Sequence, residues 1–280
     1  MKAKEISDYI IKKLETVYET GEARSMCRLL MEESFELSTA DIIINHDVAM
    51  DEEKGGELDS MLDRLLAFEP IQHVLGFAWF MGDRYLVNSH VLIPRQETEE
   101  LVHLVVDEND LENPVILDIG TGSGCIPIGL KKLIPGADVH ASEVSLEAVE
   151  VASSNAQALD YPISFYQSDI LSEFPPVDNL DVIVSNPPYV TESEKDQMSW
   201  NVLNHESELA LFVSNEDPLL FYRIITQWAY EKLNNGGKLY FEINEALGQE
   251  CVALVEKNGL KRVRLIQDLN GKDRIVAAIR

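Results

Sequence analysis

From residue 114 onward, short apolar runs alternate with longer amphipathic ones, and this alternation restricts the fold more than any other property of the chain. The short runs are PVILDIG, ADVHASE, ISFYQSD, LDVIVSN and GGKLYFEI; CIPIGLKKLI, SLEAVEVASSNAQAL and PLLFYRIITQWAYEKL fall among them. A strand too apolar to leave either face in water must be covered on both, and crossover helices supply that cover, so the pattern reads as a parallel α/β sheet. EALGQECVALVEKNG then reads as a helix, followed by two further strands, KRVRLIQD and RIVAAIR.

The first seventy residues keep a different period. Ile6, Ile10, Leu14 and Val17 recur every three to four positions, as do Met26, Leu29, Leu30 and Phe35, then Leu58, Met61, Leu62 and Leu65. This spacing predicts a small helical bundle over residues 1–70. Ser38 with Asp41 ahead of IIIN reads as a helix start, although the same apolar run fits a short strand. Gly55-Gly56 marks a loop and Pro70 closes the last helix. Residues 71–94 change to short β segments, with Gly82-Asp83 as a hairpin turn, and read as a β-hairpin linker to a domain over 95–280. A chain of 280 residues is long enough for such a division.

Charge and residue spacing narrow the function. Acidic residues outnumber basic ones 49 to 23, for a formal charge of -26, and so acidic a surface repels phosphate backbones, which disfavours a DNA partner. Cys27, Cys125 and Cys251 form no close pair, and the histidines, His205 among them, lack ligand spacing. Packing or surface roles are expected for them, with no metal site. MKAKEISDYIIKK carries charge throughout and no run is long enough to span a bilayer, so a cytoplasmic protein without membrane contact is expected.

In ILDIGTGSGC, Asp118 ends a buried strand, and Gly120, Gly122 and Gly124, with Thr121 and Ser123 between them, open a helix. A tight strand-to-helix turn against which a ligand lies on bare backbone needs glycines. A merely glycine-rich loop is the plainer alternative. Against it stand the strand before, the helix after, and Glu143 at the next strand tip, where an acid can take both ribose hydroxyls. The G-x-G-x-G spacing is not the dinucleotide G-x-G-x-x-G. It resembles the first motif of class I S-adenosylmethionine-dependent methyltransferases, in which the acid faces a cationic ligand without phosphates. At the third tip, YQSDIL supplies Asp169 for the adenine amino group and Ile170 for the adenine face.

SNPPYV ends the fourth strand, where ligands of open α/β sheets bind. Pro187 and Pro188 fix φ and remove two N–H donors, leaving a rim of carbonyls. The Asn186 side-chain oxygen and the Pro187 carbonyl can then accept both hydrogens of a planar NH2 group and aim its lone pair at a sulfonium methyl, with Tyr189 packing against the flat group. Asn-Pro is also an ordinary turn dipeptide, which leaves a strand-terminating turn as the alternative.

PIQHVLGFAWF, VLIPRQETEELV, ILDIGTGSG, SNPPYV, FEIN followed by ALGQE, and DLNGKDRIVAAI together resemble the HemK/PrmC family of peptide-chain release factor N5-glutamine methyltransferases, over nearly the whole chain. The resemblance implies a class I, Rossmann-like seven-stranded sheet with a small N-terminal helical bundle that helps dock the partner. It implies S-adenosylmethionine held by Gly120 to Gly124, Glu143, Ile170 and Asn186, and released as S-adenosylhomocysteine. The implied substrate is the glutamine of the Gly-Gly-Gln loop of class 1 release factors, gripped by Asn186 to Tyr189. Arg95 and Glu97 either order the way into the site or form a structural ion pair. Gln96 and Ser207 stand where the family commonly has proline, and EINEALGQ lacks a glycine often found after EI. The NPPY tetrapeptide is shared with adenine-N6 DNA methyltransferases. Methylation of a ribosomal-protein glutamine, methylation of a nucleic-acid adenine, and a non-catalytic adenosine-binding scaffold are the other readings.

Overall fold

The computed structural model describes residues 1–197 and 207–280, which fall into two compact units, 1–76 and 77 onward. The first holds α1 (Ala3–Leu14), α2 (Thr20–Phe35), α3 (Thr39–Ile43), α4 (Glu52–Leu66) and α5 (Ile71–Leu75). Most of the predicted apolar stripe is its core: Ile6, Ile10, Leu14, Leu30, Leu62 and Leu65 are fully buried, whereas Val17, past the end of α1, is exposed. IIIN begins in a helix and not a strand: Ser38 and Asp41 close a reciprocal capping box at the start of α3, Ile42 and Ile43 end it, and Ile44 is its C-cap.

The Gly55-Gly56 loop is a misreading, since both glycines lie inside α4. Two interior glycines cost a helix about 1 kcal/mol each. Burial of Leu58, Leu62 and Leu65 outweighs this at roughly 1.5–3 kcal/mol apiece, and Asp51 caps the start by accepting from the Lys54 N–H at 2.9 Å. Pro70 does not end α4 but stands as N-cap of α5, so residues 71–75 are helical where β structure was expected.

The second unit opens with the hairpin β1 (Phe77–Phe80) and β2 (Asp83–Leu86). Its turn sits one residue earlier than expected, on Met81 and Gly82, both at positive φ. Two successive left-handed residues make the turn whose twist matches antiparallel strands, which leaves Asp83 to pair with Phe80. Next come α6 (Gln96–Glu108), β3 (Val115–Ile119), α7 (Cys125–Leu133), β4 (Asp138–Glu143), α8 (Leu146–Ala158), β5 (Ser164–Gln167), β6 (Leu180–Ser185), β7 (Val190–Thr191), α9 (Glu208–Leu211), β8 (Phe212–Val213), α10 (Leu220–Lys232), β9 (Leu233–Glu242), α11 (Gly248–Lys257), β10 (Lys261–Gln267) and β11 (Asp273–Ile279).

Seven of these strands form one sheet in the order β10-β11-β9-β6-β3-β4-β5, parallel except for β11, which runs antiparallel between β9 and β10. This is the expected α/β fold. Alternate residues of each strand feed opposite layers: Ile116, Val182, Val184 and Tyr240 pack with α6 and α7, while Leu117, Ile183, Leu239 and Phe241 pack with α10 and α11. The chain leaves β3 in one direction through β4 to β5, and β6 and β9 lie in the other. The crevice at the carboxyl ends of β3 and β6 is therefore a topological switch point, the place where such sheets bind ligands. No helix among the described residues is long and apolar enough to cross a membrane.

Gln96 is the first residue of α6, and Arg95 before it has φ -105° and ψ 153°. A first helical residue needs no N–H, and this backbone suits a residue preceding proline. Gln96→Pro is expected to raise stability by roughly 0.4–1 kcal/mol in denaturant unfolding without changing the slope of the transition.

Candidate functional site

A cavity of about 280 Å³ opens at the switch point. Three strand tips build it. After β3, Gly120, Gly122 and Gly124 take φ of 76°, 54° and 80°, values that side chains disfavour. The Gly120 and Thr121 N–H groups donate to the Ser142 carbonyl at 2.9 and 3.1 Å, which pins the loop to the end of β4. A Cβ on Gly124 would come within 3.1 Å of the Ala152 Cβ, so this glycine permits close packing against α8. Asn155, buried in α8, donates to the Ser123 carbonyl at 2.9 Å and pairs with both backbone groups of Leu86, at 2.6 and 3.0 Å.

After β4, the Glu143 carboxylate accepts from the Gly122 N–H at 3.0 Å through one oxygen and from the Val144 and Ser145 N–H groups at 2.8 and 3.2 Å through the other. Tying the acid to the loop it faces fixes its direction and leaves lone pairs free for a further donor. After β5, Asp169 accepts from the Leu171 N–H at 3.0 Å, and Ile170 is buried with its carbonyl held by the Trp228 indole.

Of the residues singled out in the sequence, Gly120, Thr121, Gly122, Ser123, Glu143, Asp169, Ile170, Asn186, Pro187 and Pro188 line the cavity. Asp118, Gly124 and Tyr189 do not. Asp118 lies fully buried beneath the loop, and neither carboxyl oxygen has a hydrogen-bond partner among the described residues. Burial pushes its pKa up to about 7; the neighbouring Thr121 hydroxyl opposes the rise and the Glu143 charge adds to it. The Thr121 and Ser123 hydroxyls are also buried, with no hydrogen-bond partner among the described residues. Three unsatisfied polar side chains around one glycine loop are a costly arrangement for a fold alone, and they suit a polar, positively charged ligand.

Tyr189 is turned from the cavity. Its hydroxyl donates to Glu242 at 3.4 Å and its ring joins the core on the α10 side, away from the place at the cavity that packing against a flat group would need. Burial first, and the Glu242 charge second, raise its pKa above the ordinary tyrosine value. The Asn186 side chain forms no hydrogen bond with any described residue and is therefore available at the rim.

The lining also includes Leu92, Thr98, Phe221 and Ile225, which sequence reasoning passed over, and Cys125, for which it expects only a packing or surface role. Cys125 is free, as are Cys27 and Cys251, and burial pushes its pKa up to about 12, which leaves it an inert thiol. Arg95 lines the cavity, whereas Glu97 does not. His205 and the glutamate at 206 lie outside the described residues. No group of acidic, histidine or cysteine side chains among the described residues is arranged to hold a metal.

Residues 98–216 match the family model described as Methyltransferase small domain, and residues 5–76 match the PrmC N-terminal domain. The chain is 45% identical over 280 residues to a protein from Bacteroides thetaiotaomicron named release factor glutamine methyltransferase, covering 98% of this chain and 99% of that one. A Flavobacterium psychrophilum protein of the same name is 42% identical over 270 residues, 95% of each chain. Among solved structures, a methyltransferase from Pyrococcus furiosus superposes with a TM-score of 0.53 at 18% identity, covering 79% of this chain and 98% of that one. A 16S rRNA N2 G1207 methyltransferase from T. thermophilus gives 0.52 at 17%, covering 73% and 49%. At such identities the two structures show a shared fold alone.

Proposed function

The chain belongs to the release factor glutamine methyltransferase family, and from that premise we propose that its switch-point cavity holds S-adenosylmethionine while the Asn186-Pro187 rim grips the side-chain amide of the substrate glutamine. The observation that carries this reading is the meeting, in one cavity, of the glycine loop, the acid-bearing tips of β4 and β5, and Asn-Pro-Pro at the end of β6. When bound, the cofactor supplies an electrophilic sulfonium methyl and leaves as neutral S-adenosylhomocysteine.

The residues of the chain do the rest. Gly120 and Gly122 present bare backbone to the cofactor, Glu143 takes the ribose hydroxyls, and Asp169 and Ile170 hold the adenine edge and face. Asp118, whose pKa burial pushes up to about 7 in the ligand-free protein, would ionise beneath the loop once a cation is bound above it. The Asn186 Oδ1 and the Pro187 carbonyl accept the two amide hydrogens, which favours a pyramidal nitrogen carrying positive charge over a planar one. Held there, the amide nitrogen would have its lone pair aimed at the methyl that the cofactor supplies, and the extra proton it gains on methylation would leave to water. An amide nitrogen is a weak nucleophile because its lone pair is delocalised. Its activation thus rests on acceptors already in position, with no base needed ahead of transfer.

The substrate that this chemistry fits is the Gly-Gly-Gln glutamine of class 1 release factors, with the helical unit at 1–76 aiding recognition, in the cytoplasm. The net charge of -26 speaks against a nucleic-acid adenine. Incubation with methyl-labelled S-adenosylmethionine is expected to label a class 1 release factor and to leave its Gln→Ala variant unlabelled. Equal labelling of both, or preferential labelling of a ribosomal protein or of DNA, would overturn the proposal.

A further inference from the structure

Glu242, the last residue of β9, is 1% exposed. Burying a carboxylate costs several kcal/mol unless it is partnered, and an apolar side chain would fill the end of a strand at no such cost. The partners of this carboxylate are therefore informative. One oxygen accepts from the Thr98 hydroxyl at 2.7 Å, and the other from the Tyr189 hydroxyl at 3.4 Å. Thr98 lines the cavity from the first turn of α6, and Tyr189 follows directly on Asn186, Pro187 and Pro188, which also line it.

A second tie runs beside the first. Asn244, two residues further on, donates to the Tyr189 carbonyl at 3.3 Å and to Glu194 at 3.2 Å, and Glu194 accepts from the Thr191 N–H at 2.8 Å. Proline fixes φ at 187 and 188, yet it leaves ψ and the whole of residue 189 free to turn. The rim is thus stiff in the middle, and these bonds help to hold its far end, together with the packing of the Tyr189 ring and the pairing of Val190 with Phe212.

We propose that Glu242 is a positioning residue for methyl transfer: through the Thr98 and Tyr189 hydroxyls it clamps the first turn of α6 and the end of the Asn-Pro-Pro-Tyr segment to β9, and so holds Asn186 and Pro187 where the target amide meets them. This rests on the functional reading above. Burial pushes the pKa of Glu242 above the ordinary carboxylate value, and the Thr98 hydroxyl and then the positive charge of Arg274, beside it on β11, act against that rise in favour of the ionised form.

The test compares Thr98→Val, Thr98→Ser and Tyr189→Phe, with kcat and KM measured on a release factor and cofactor affinity measured by calorimetry. Valine keeps the shape and loses the donor, whereas serine keeps the donor and loses a methyl. Thr98→Val is expected to lower kcat by about tenfold, as suits the loss of one hydrogen bond to a buried charge, with cofactor Kd and KM changed by less than about twofold. Thr98→Ser restores most of the rate, Tyr189→Phe lowers kcat as valine does, and the double variant loses less than the product of the single losses. Full activity in Thr98→Val with a deficit in Thr98→Ser would mean that residue 98 only packs, and would overturn the clamp; independent losses in the double variant would do the same. If Thr98→Val melts below the assay temperature, Tyr189→Phe carries the same readout. A wild-type protein that fails to methylate any release factor would instead overturn the functional reading, and the clamp with it.

Discussion

Asn186→Ala slows methyl transfer by roughly 2–4 kcal/mol of barrier, the cost of removing one polar group from a preorganised site. The carboxamide stands at the cavity with no partner of its own among the described residues, so its removal leaves the surrounding hydrogen bonds intact and the fold undisturbed. Single-turnover rates with saturating cofactor isolate the step. Cofactor affinity falls far less than the rate, because the loop after β3 and the tips of β4 and β5 are unchanged. An Asn186→Ala protein with wild-type turnover would remove this side chain from the chemistry.

Asp118→Asn is expected to shift stability and ligand affinity in opposite directions. In the folded protein the Asp118 carboxyl keeps its proton up to about pH 7, against 3.8 for the exposed group. Between those values the folded state binds more protons than the unfolded chain, so this residue withdraws stability as pH rises from about 4 to about 7, and the loss is complete above that. A shift from 3.8 to about 7 corresponds to roughly 4 kcal/mol. Asparagine has no charge to bury. The ligand-free variant therefore melts higher than wild type at pH 8, and the gap narrows toward pH 5. Saturating S-adenosylmethionine reverses the order at pH 8, because a cation bound above the loop stabilises the ionised wild-type acid and gains nothing from the amide. Thermal melts at the two pH values, with and without cofactor, decide the matter; identical curves would show that Asp118 is already ionised and satisfied.

The parts of the site that could be read from the sequence share one property: each adjoins the end of an apolar run. Gly120 to Gly124, Glu143, Asp169 and Asn186 all stand within a few residues of a strand tip, and a parallel sheet gathers its tips along one edge. What could not be read depends on distant partners. Tyr189 faces Glu242, 53 positions away, and no local pattern reports which way such a ring turns. Phe221 and Ile225 have the spacing of any core helix, so their place in the cavity lining was invisible. Gly55 and Gly56 carry a genuine loop signal that the buried leucines of α4 override. Glu242 did leave a trace, as the one acid within the apolar run KLYFEI, since a charge there must find partners elsewhere in the fold.

Asn155 adds a mechanical consequence. A single carboxamide on α8 saturates three main-chain groups, two on the β-hairpin and one on the loop after β3. Glycines give that loop its shape but bring no rigidity of their own. Besides its ties to β4, the loop borrows stiffness from a helix, and a displacement of the hairpin must either drag the loop with it or break the shared anchor.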